Sequence, residues 1–350
     1  MDKYKFKKIA ILSDESKKLV FKRRMKPLID VGKNLNLQFV LYDNKTNLDD
    51  VDILIVQSIP KSLKILNTIT NGSHILIYDI PDYMGVILDN RFIYKSLNLI
   101  KRLVKSVITF KIHPYIILSK LVNSSDLIFT GSFLQAEFFR KNFNKKTYDL
   151  VDPVNDSEYS GAKAKHKRTD KIKIIWDGTE PSFMHFNSII KPLFDVNKTR
   201  KFELIILTDE FKKMKSKLLY EKLKKHITIK HVHWSQDNFN KVLSSSDIAI
   251  APIDKKDIFN FSKPSNKLIS YWAFGLPVIC SDIPSYRLIS TTDKSFCCQN
   301  ENDWINSLKL LIDNHNLRNK MGEIAYNFSW SQHSKEVFSK KYFNKINELF

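Results

Sequence analysis

Nowhere among its 350 residues does the chain carry the run of about 18 apolar side chains that a membrane-spanning helix needs. The apolar stretch Ile9 to Leu12, behind a basic start, is too short for a signal-peptide core and reads as a first β-strand. Cysteine is scarce. Cys280, Cys297 and Cys298 are the only three, with no CxxC pair and no histidine at metal spacing. That argues against a disulfide framework or a zinc site, and for structural thiols in a reducing compartment, the cytoplasm. Zinc-finger, RRM, KH and helix-turn-helix signatures are all missing, as are internal repeats and low-complexity tracts.

Acidic residues are also in deficit, 37 against 57 Lys and Arg, for a net charge of +20. The excess is spread along the chain: residues 1–160 carry 25 basic against 17 acidic side chains, and residues 161–350 carry 32 against 20. No specific nucleic-acid partner follows from this. A broadly basic surface draws anionic lipid headgroups or any polyanion, and biased codon usage alone yields the same Lys- and Asn-rich composition. A hydrophobic fraction of 43% with 12% aromatics describes a globular protein long enough for two cores.

Short apolar runs alternate with helical patterns, the signature of parallel sheets with crossover helices. Strands are expected at Ile9–Leu12, Leu37–Tyr42, Ile53–Val56, His74–Tyr78 and Leu127–Thr130. A second series follows at Ile172–Trp176, Glu203–Leu207, Ile227–Val232, Ile248–Ala251 and Val278–Cys280, with a short strand at Cys297-Cys298. Between the two series, residues 152–171 lack apolar periodicity. The expected division is a domain over 1–155, a linker over 156–170, a domain over 171–331 and a helix over 332–350. Two doubly wound halves would face each other across a cleft at their strand carboxyl ends.

The most informative segment is FSKPSNKLISYWAFGLPVICSD, Phe261 to Asp282. Pro264 and Ser265 signal a helix start and Gly275 its stop. Leu268, Ile269, Trp272 and Ala273 share one face at helical spacing. The loop offers backbone N–H groups at a helix N-terminus, flanked by Lys263 and Lys267, which suits a phosphate or diphosphate.

The order K-x-x-N-K-L-x-x-Y-x-A-x-G-x-P-V-I-x-S-D resembles the donor-binding segment of bacterial GT-B glycosyltransferases of the family-4 type, the glycosyl transferases group 1. The resemblance implies an α/β GT-B fold of two Rossmann-like domains, with the last helix packing back on the first. It implies a nucleotide-sugar donor, a glycan or lipid-linked acceptor, no cofactor and no bound metal. By the same resemblance Lys263, Lys267, Ser265, Asn266, Gly178 and Thr179 hold the donor diphosphate, and Trp234 lies near the base. IKIIWDGT, Ile172 to Thr179, is similar to the first strand and diphosphate loop of the second domain, although Glu180-Pro181-Ser182 stands where relatives place cations. Family-4-type enzymes carry two Glu residues eight positions apart. Counted back from Gly275, those positions are Ser262 and Ser270 here, at the transferred sugar and the ribose. That departure puts a retaining outcome in question and leaves a catalytically inactive GT-B subunit as the alternative.

In the first half, YDIPD, Tyr78 to Asp82, follows a strand and resembles the family's acidic loop. Asp82 and Asp79 are the candidate bases for an acceptor hydroxyl, although loop acids are commonly solvated turn formers. Asp14 and Glu15 suit helix capping better. Two basic stretches, Phe92 to Ile108 and Lys17 to Lys26 with Arg23 and Arg24, are candidates for peripheral contact with an anionic membrane or, equally, for solvated faces of core helices.

Overall fold

The computed structural model describes residues 4–13, 20–43, 45–57, 59–60, 62–81, 114–156, 158–160, 163–164, 171–256 and 258–350. They fall into two compact units. The first takes Met1–Pro153, Ser262–Pro264 and Lys335–Phe350; the second takes Val154–Phe261 and Ser265–Ser334. Asp14, Glu15, Asp82 and the Phe92 to Ile108 stretch lie outside the described residues.

The first unit is built on a six-stranded sheet of order β2-β1-β3-β4-β5-β6. Its strands are β1 Lys8–Leu12, β2 Gln38–Leu41, β3 Ile53–Val56, β4 Ile75–Ile80, β5 Leu127–Thr130 and β6 Thr147–Asp149. Every resolved pairing is parallel. Central strands such as ILIV and LIFT are buried at every position because apolar material covers both faces of the sheet. Ser62 and Ser132 cap the helices Leu63–Thr70 and Phe133–Phe143, each hydroxyl accepting a backbone N–H three residues on. One apolar cluster gathers Leu54, Leu118 and Phe139. A second gathers Ile55, Phe129 and, from the helix Lys335–Asn347, Tyr342, Phe343 and Ile346. There the rings of Phe129 and Tyr342 stack with centroids 3.9 Å apart. β6 was not expected from the sequence: TYD is a three-residue edge strand without an apolar run.

The second unit has a six-stranded sheet of order β12-β11-β10-β7-β8-β9. Its strands are β7 Ile172–Asp177, β8 Phe202–Thr208, β9 Thr228–His233, β10 Ile248–Ala251, β11 Val278–Ser281 and β12 Ser295–Cys298. Read from β9, the order is that of the dinucleotide-binding doubly wound sheet, and the direction of winding reverses between β7 and β10. Trp176, Phe183, Phe186, Leu204 and Leu308 belong to the core on one face. The segment expected as a polar linker contributes to packing. Tyr159 is buried against Phe239 and Phe274, with centroids 6.1 Å from each, and the Ala164 N–H bonds the Phe274 carbonyl at 2.8 Å. Among the described residues, no helix is long and apolar enough to cross a membrane.

Candidate functional site

In open α/β sheets the crevice lies outside the strand carboxyl ends, where the winding reverses. β7 ends there at Asp177, and Gly178 and Thr179 follow. The helix Asn266–Trp272 supplies Lys267 and Tyr271, which share a face because they are one turn apart. Together they hold the Asp177 backbone from both sides. The Tyr271 hydroxyl accepts the Asp177 N–H at 3.0 Å, and the Lys267 ammonium donates to the Asp177 carbonyl. The ammonium also sits 4.9 Å from the centre of the Trp176 ring, close enough for a cation–π attraction.

Gly178 is needed here for space. A Cβ on it would come within 2.7 and 2.9 Å of the Trp176 indole and 3.3 Å of the Lys267 nitrogen. The turn therefore presents bare backbone beside a fixed cation. Desolvation lowers the Lys267 pKa from its usual value, opposed by the nearby Asp177 carboxylate. Burial, reinforced by Asp177, pushes the Tyr271 phenol well up. One Asp177 carboxylate oxygen is buried with no hydrogen-bond partner. The arrangement gives one positive charge, held by the backbone, at the mouth of the sheet.

Other residues singled out from the sequence fall around this centre or away from it. Thr179 is exposed, and its hydroxyl shares a 3.1 Å hydrogen bond with Ser182. Ser265 is buried at the helix start and forms no side-chain cap bond, while its carbonyl accepts from Leu268 and Ile269. Asn266 is half-buried. Ser262 and Lys263 belong to the short segment that groups with the first unit; the Ser262 hydroxyl is buried without a partner. Ser270 is engaged elsewhere: its Oγ lies 2.9 Å from the Tyr159 hydroxyl. Trp234 follows β9, half-buried, with its N–H on the Thr208 carbonyl at 3.2 Å.

Sequence reasoning passed over Trp176, Tyr271 and Tyr159. The first two were within reach, since Trp176 precedes the glycine turn and Tyr271 stands one helical turn beyond Lys267. It also passed over a pocket of about 390 Å³ in the second unit, at the carboxyl ends of β10, β11 and β12. Ile253, Asp254, Lys255, Ser281, Gln299 and Trp304 are among its lining. There Ser281 Oγ accepts the Ile253 N–H at 2.8 Å, and His185 Nδ1 accepts that of Asp254 at 3.2 Å. Among the described residues, no group of three or more His, Cys, Asp or Glu side chains is placed to hold a metal ion.

Asp79 is not a loop acid. β4 continues through Ile80, so Asp79 sits within the strand and is fully buried. Arg24 Nε donates to one of its carboxylate oxygens at 2.8 Å and Arg24 Nη2 to the other at 3.0 Å. Burial raises the Asp79 pKa and the guanidinium works against that rise. Its carboxylate is spent on an interior ion pair, which removes it as a base for an acceptor hydroxyl. Arg24 leaves the basic surface cluster for the same reason, since it too has no exposure.

The model of the glycosyl transferases group 1 family matches residues 185–314. No curated protein sequence matches the chain. Among solved structures, Anabaena Alr3699/HepE in complex with UDP and glucose superposes with a TM-score of 0.62 at 11% identity, over 98% of this chain and 100% of that one. Sucrose-phosphate synthase from Thermosynechococcus elongatus gives 0.60 at 10% identity, over 98% and 99%. TarM of S. aureus gives 0.56 at 13%, over 83% of this chain and 54% of its own. At such identities the likeness is one of fold. Two wound parallel sheets and these neighbours give the chain the GT-B fold, and within it residues 185–314 match the glycosyl transferases group 1 family.

Proposed function

We propose that the chain is a metal-independent glycosyltransferase that moves a sugar from a nucleotide-diphosphate donor to a glycan or lipid-linked acceptor in cell-surface polysaccharide or glycoconjugate synthesis. The observation that carries this reading is the Lys267 ammonium fixed against the Asp177-Gly178 turn, where the winding of the second unit's sheet reverses. A positive charge anchored by backbone needs little reorganisation when the diphosphate leaves with its extra negative charge. In this reading Lys263 adds a second charge, and Gly178, Thr179, Ser265 and Asn266 supply polar contacts to the phosphates. Trp234 lies towards the base, Ser270 and Ser262 towards ribose and sugar. Asp82 orients the acceptor hydroxyl, the outcome is retention, and the work is done in the cytoplasm at the inner face of the membrane.

A second reading has an observation of its own. Neither position of the paired acids carries a carboxylate, and at one of them the Ser270 hydroxyl is bonded to Tyr159. This favours a GT-B subunit that binds a partner and does not turn over.

A thermal-shift panel of UDP, GDP, CDP and their sugars tests both. UDP comes first because the HepE structures hold UDP and UDP-glucose. A ligand at a hundredfold its Kd stabilises the folded state by about 2.7 kcal/mol. Stabilisation by one nucleotide, followed by sugar release to water or acceptor, supports the transferase. Stabilisation without any turnover supports the binding subunit, and no shift with any nucleotide removes the donor site.

A further inference from the structure

All three cysteines of the chain meet on two neighbouring strands. The parallel register sets Cys280 of β11 opposite Cys297 of β12, and Ser281 opposite Cys298. Neighbouring strands lie about 4.8 Å apart, within the Cα separation of about 4.4–6.8 Å that a disulfide accepts. Cys280 and Cys297 share a face, with their sulfurs 3.4 Å apart. Cys298 turns to the other face, its sulfur 3.8 Å from the Ser307 hydroxyl.

The two facing thiols differ in a useful way. Cys280 is fully buried, and burial raises its pKa well above the usual thiol value. Cys297 is half-buried, and its pKa is drawn down to about 7, chiefly by the hydrogen bond from Cys280. Ser290 and Arg287 pull in the same direction, against burial and the Asp282 carboxylate. An accessible thiolate thus stands in front of a protonated thiol, the layout of an attacking and a resolving cysteine.

We propose that Cys297 and Cys280 form a peroxide-sensitive dithiol that closes a cross-strand disulfide beside the pocket at the carboxyl ends of β10 to β12. The Cys297 thiolate attacks the O–O bond of hydrogen peroxide; an S–O bond forms and hydroxide leaves. The Cys280 sulfur then attacks the sulfenic sulfur, the S–O bond breaks, and its own proton departs with the hydroxyl as water. Two thiols lose two electrons and one peroxide becomes two waters. The next residues along each strand, Ser281 and Cys298, line the pocket, and Ser281 holds the Ile253 N–H there. Oxidation therefore ties together the two strands whose ends form that pocket.

The test treats the full reduced chain with hydrogen peroxide under native conditions, alkylates the remaining thiols, then maps peptides by mass spectrometry. The expected result is a Cys280–Cys297 link with Cys298 still alkylated, unchanged in Cys298→Ser. In Cys280→Ala, dimedone should trap a sulfenic acid on Cys297. Three alkylated thiols after peroxide, a Cys297–Cys298 link, or no trapping at Cys297 would each overturn the proposal. Should Cys280→Ala fail to fold, the wild-type peptide map decides alone.

Discussion

Arg24 grips both carboxylate oxygens of Asp79, at 2.8 and 3.0 Å, and neither side chain reaches solvent. Arg24 Nη1 also donates to the Leu150 carbonyl at 2.7 Å and to Asp152 at 3.0 Å, and the guanidinium lies 5.2 Å from the centre of the Phe338 ring. Removing Arg24 strands the Asp79 carboxylate in the interior, and removing Asp79 leaves the buried guanidinium with Asp152 as its remaining acidic contact. Arg24→Met and Asp79→Leu should each lower unfolding stability by about 3–5 kcal/mol. Urea denaturation reads this directly. Because the stranded charge is the main cost, the double variant should lose less than the two single losses added together.

Gly178→Ala places a methyl group into the indole of Trp176. Overpacking of this kind costs about 1–3 kcal/mol. Urea unfolding of the variant should show that loss, together with altered tryptophan fluorescence as the ring is displaced. A variant as stable as the parent would show that the turn has room to spare.

Lys267→Met keeps most of the stem over Trp176 and removes the charge. A net neutral hydrogen bond is worth roughly 1 kcal/mol and a charged one up to about 3, so the apo protein should lose stability within that range. Stabilisation by the cognate nucleotide should disappear altogether. If nucleotide binding survives in Lys267→Met, the donor site lies elsewhere.

The alkylation of Cys297 should follow its thiolate fraction. With a pKa drawn down to about 7, the rate rises as pH climbs through neutrality, well below the range of an ordinary thiol. The sign is fixed by the groups around it: Cys280, Ser290 and Arg287 favour the charged form, while burial and Asp282 oppose it. Iodoacetamide kinetics against pH should show one transition near that value. Arg287→Gln should move it upward, because Arg287 lowers the pKa and its pair with Asp282 is then lost.

Tyr159→Phe removes the partner of Ser270 and leaves the ring edge-on to Phe239 and tilted against Phe274. The expected cost is about 0.5–1.5 kcal/mol by chemical denaturation. If the Ser270 hydroxyl serves a ribose, the freed group should also change nucleotide affinity; if it serves Tyr159 alone, affinity stays the same.

The strands were legible because parallel sheets covered on both faces leave continuous apolar runs, ILIV at β3 and IAIA at β10. β6 was not, because an edge strand of sequence TYD has no such run. In the candidate site, Gly178 and Lys267 could be named from a turn and a helix start, which are local signals. Asp79 could not be read correctly. What buries it is Arg24, 55 residues earlier, in a stretch that looks like a basic surface cluster. The bond made by Ser270 was hidden for the same reason, since its partner Tyr159 is 111 residues away in a segment without periodicity. Local pattern reports strands and turns. It does not report which distant polar group will meet a buried one.

The helix Lys335–Asn347 supplies Tyr342, Phe343 and Ile346 to the core of the first unit. During synthesis, therefore, the part of the chain that is made first is the part that must wait. Residues 1–153 leave the ribosome with one side of their sheet lacking those aromatic side chains, while nearly all of the second unit follows in one stretch. The usual order of vectorial folding, first-made domain first, is reversed here, and the early segment must be kept from wrong partners until residue 346 emerges.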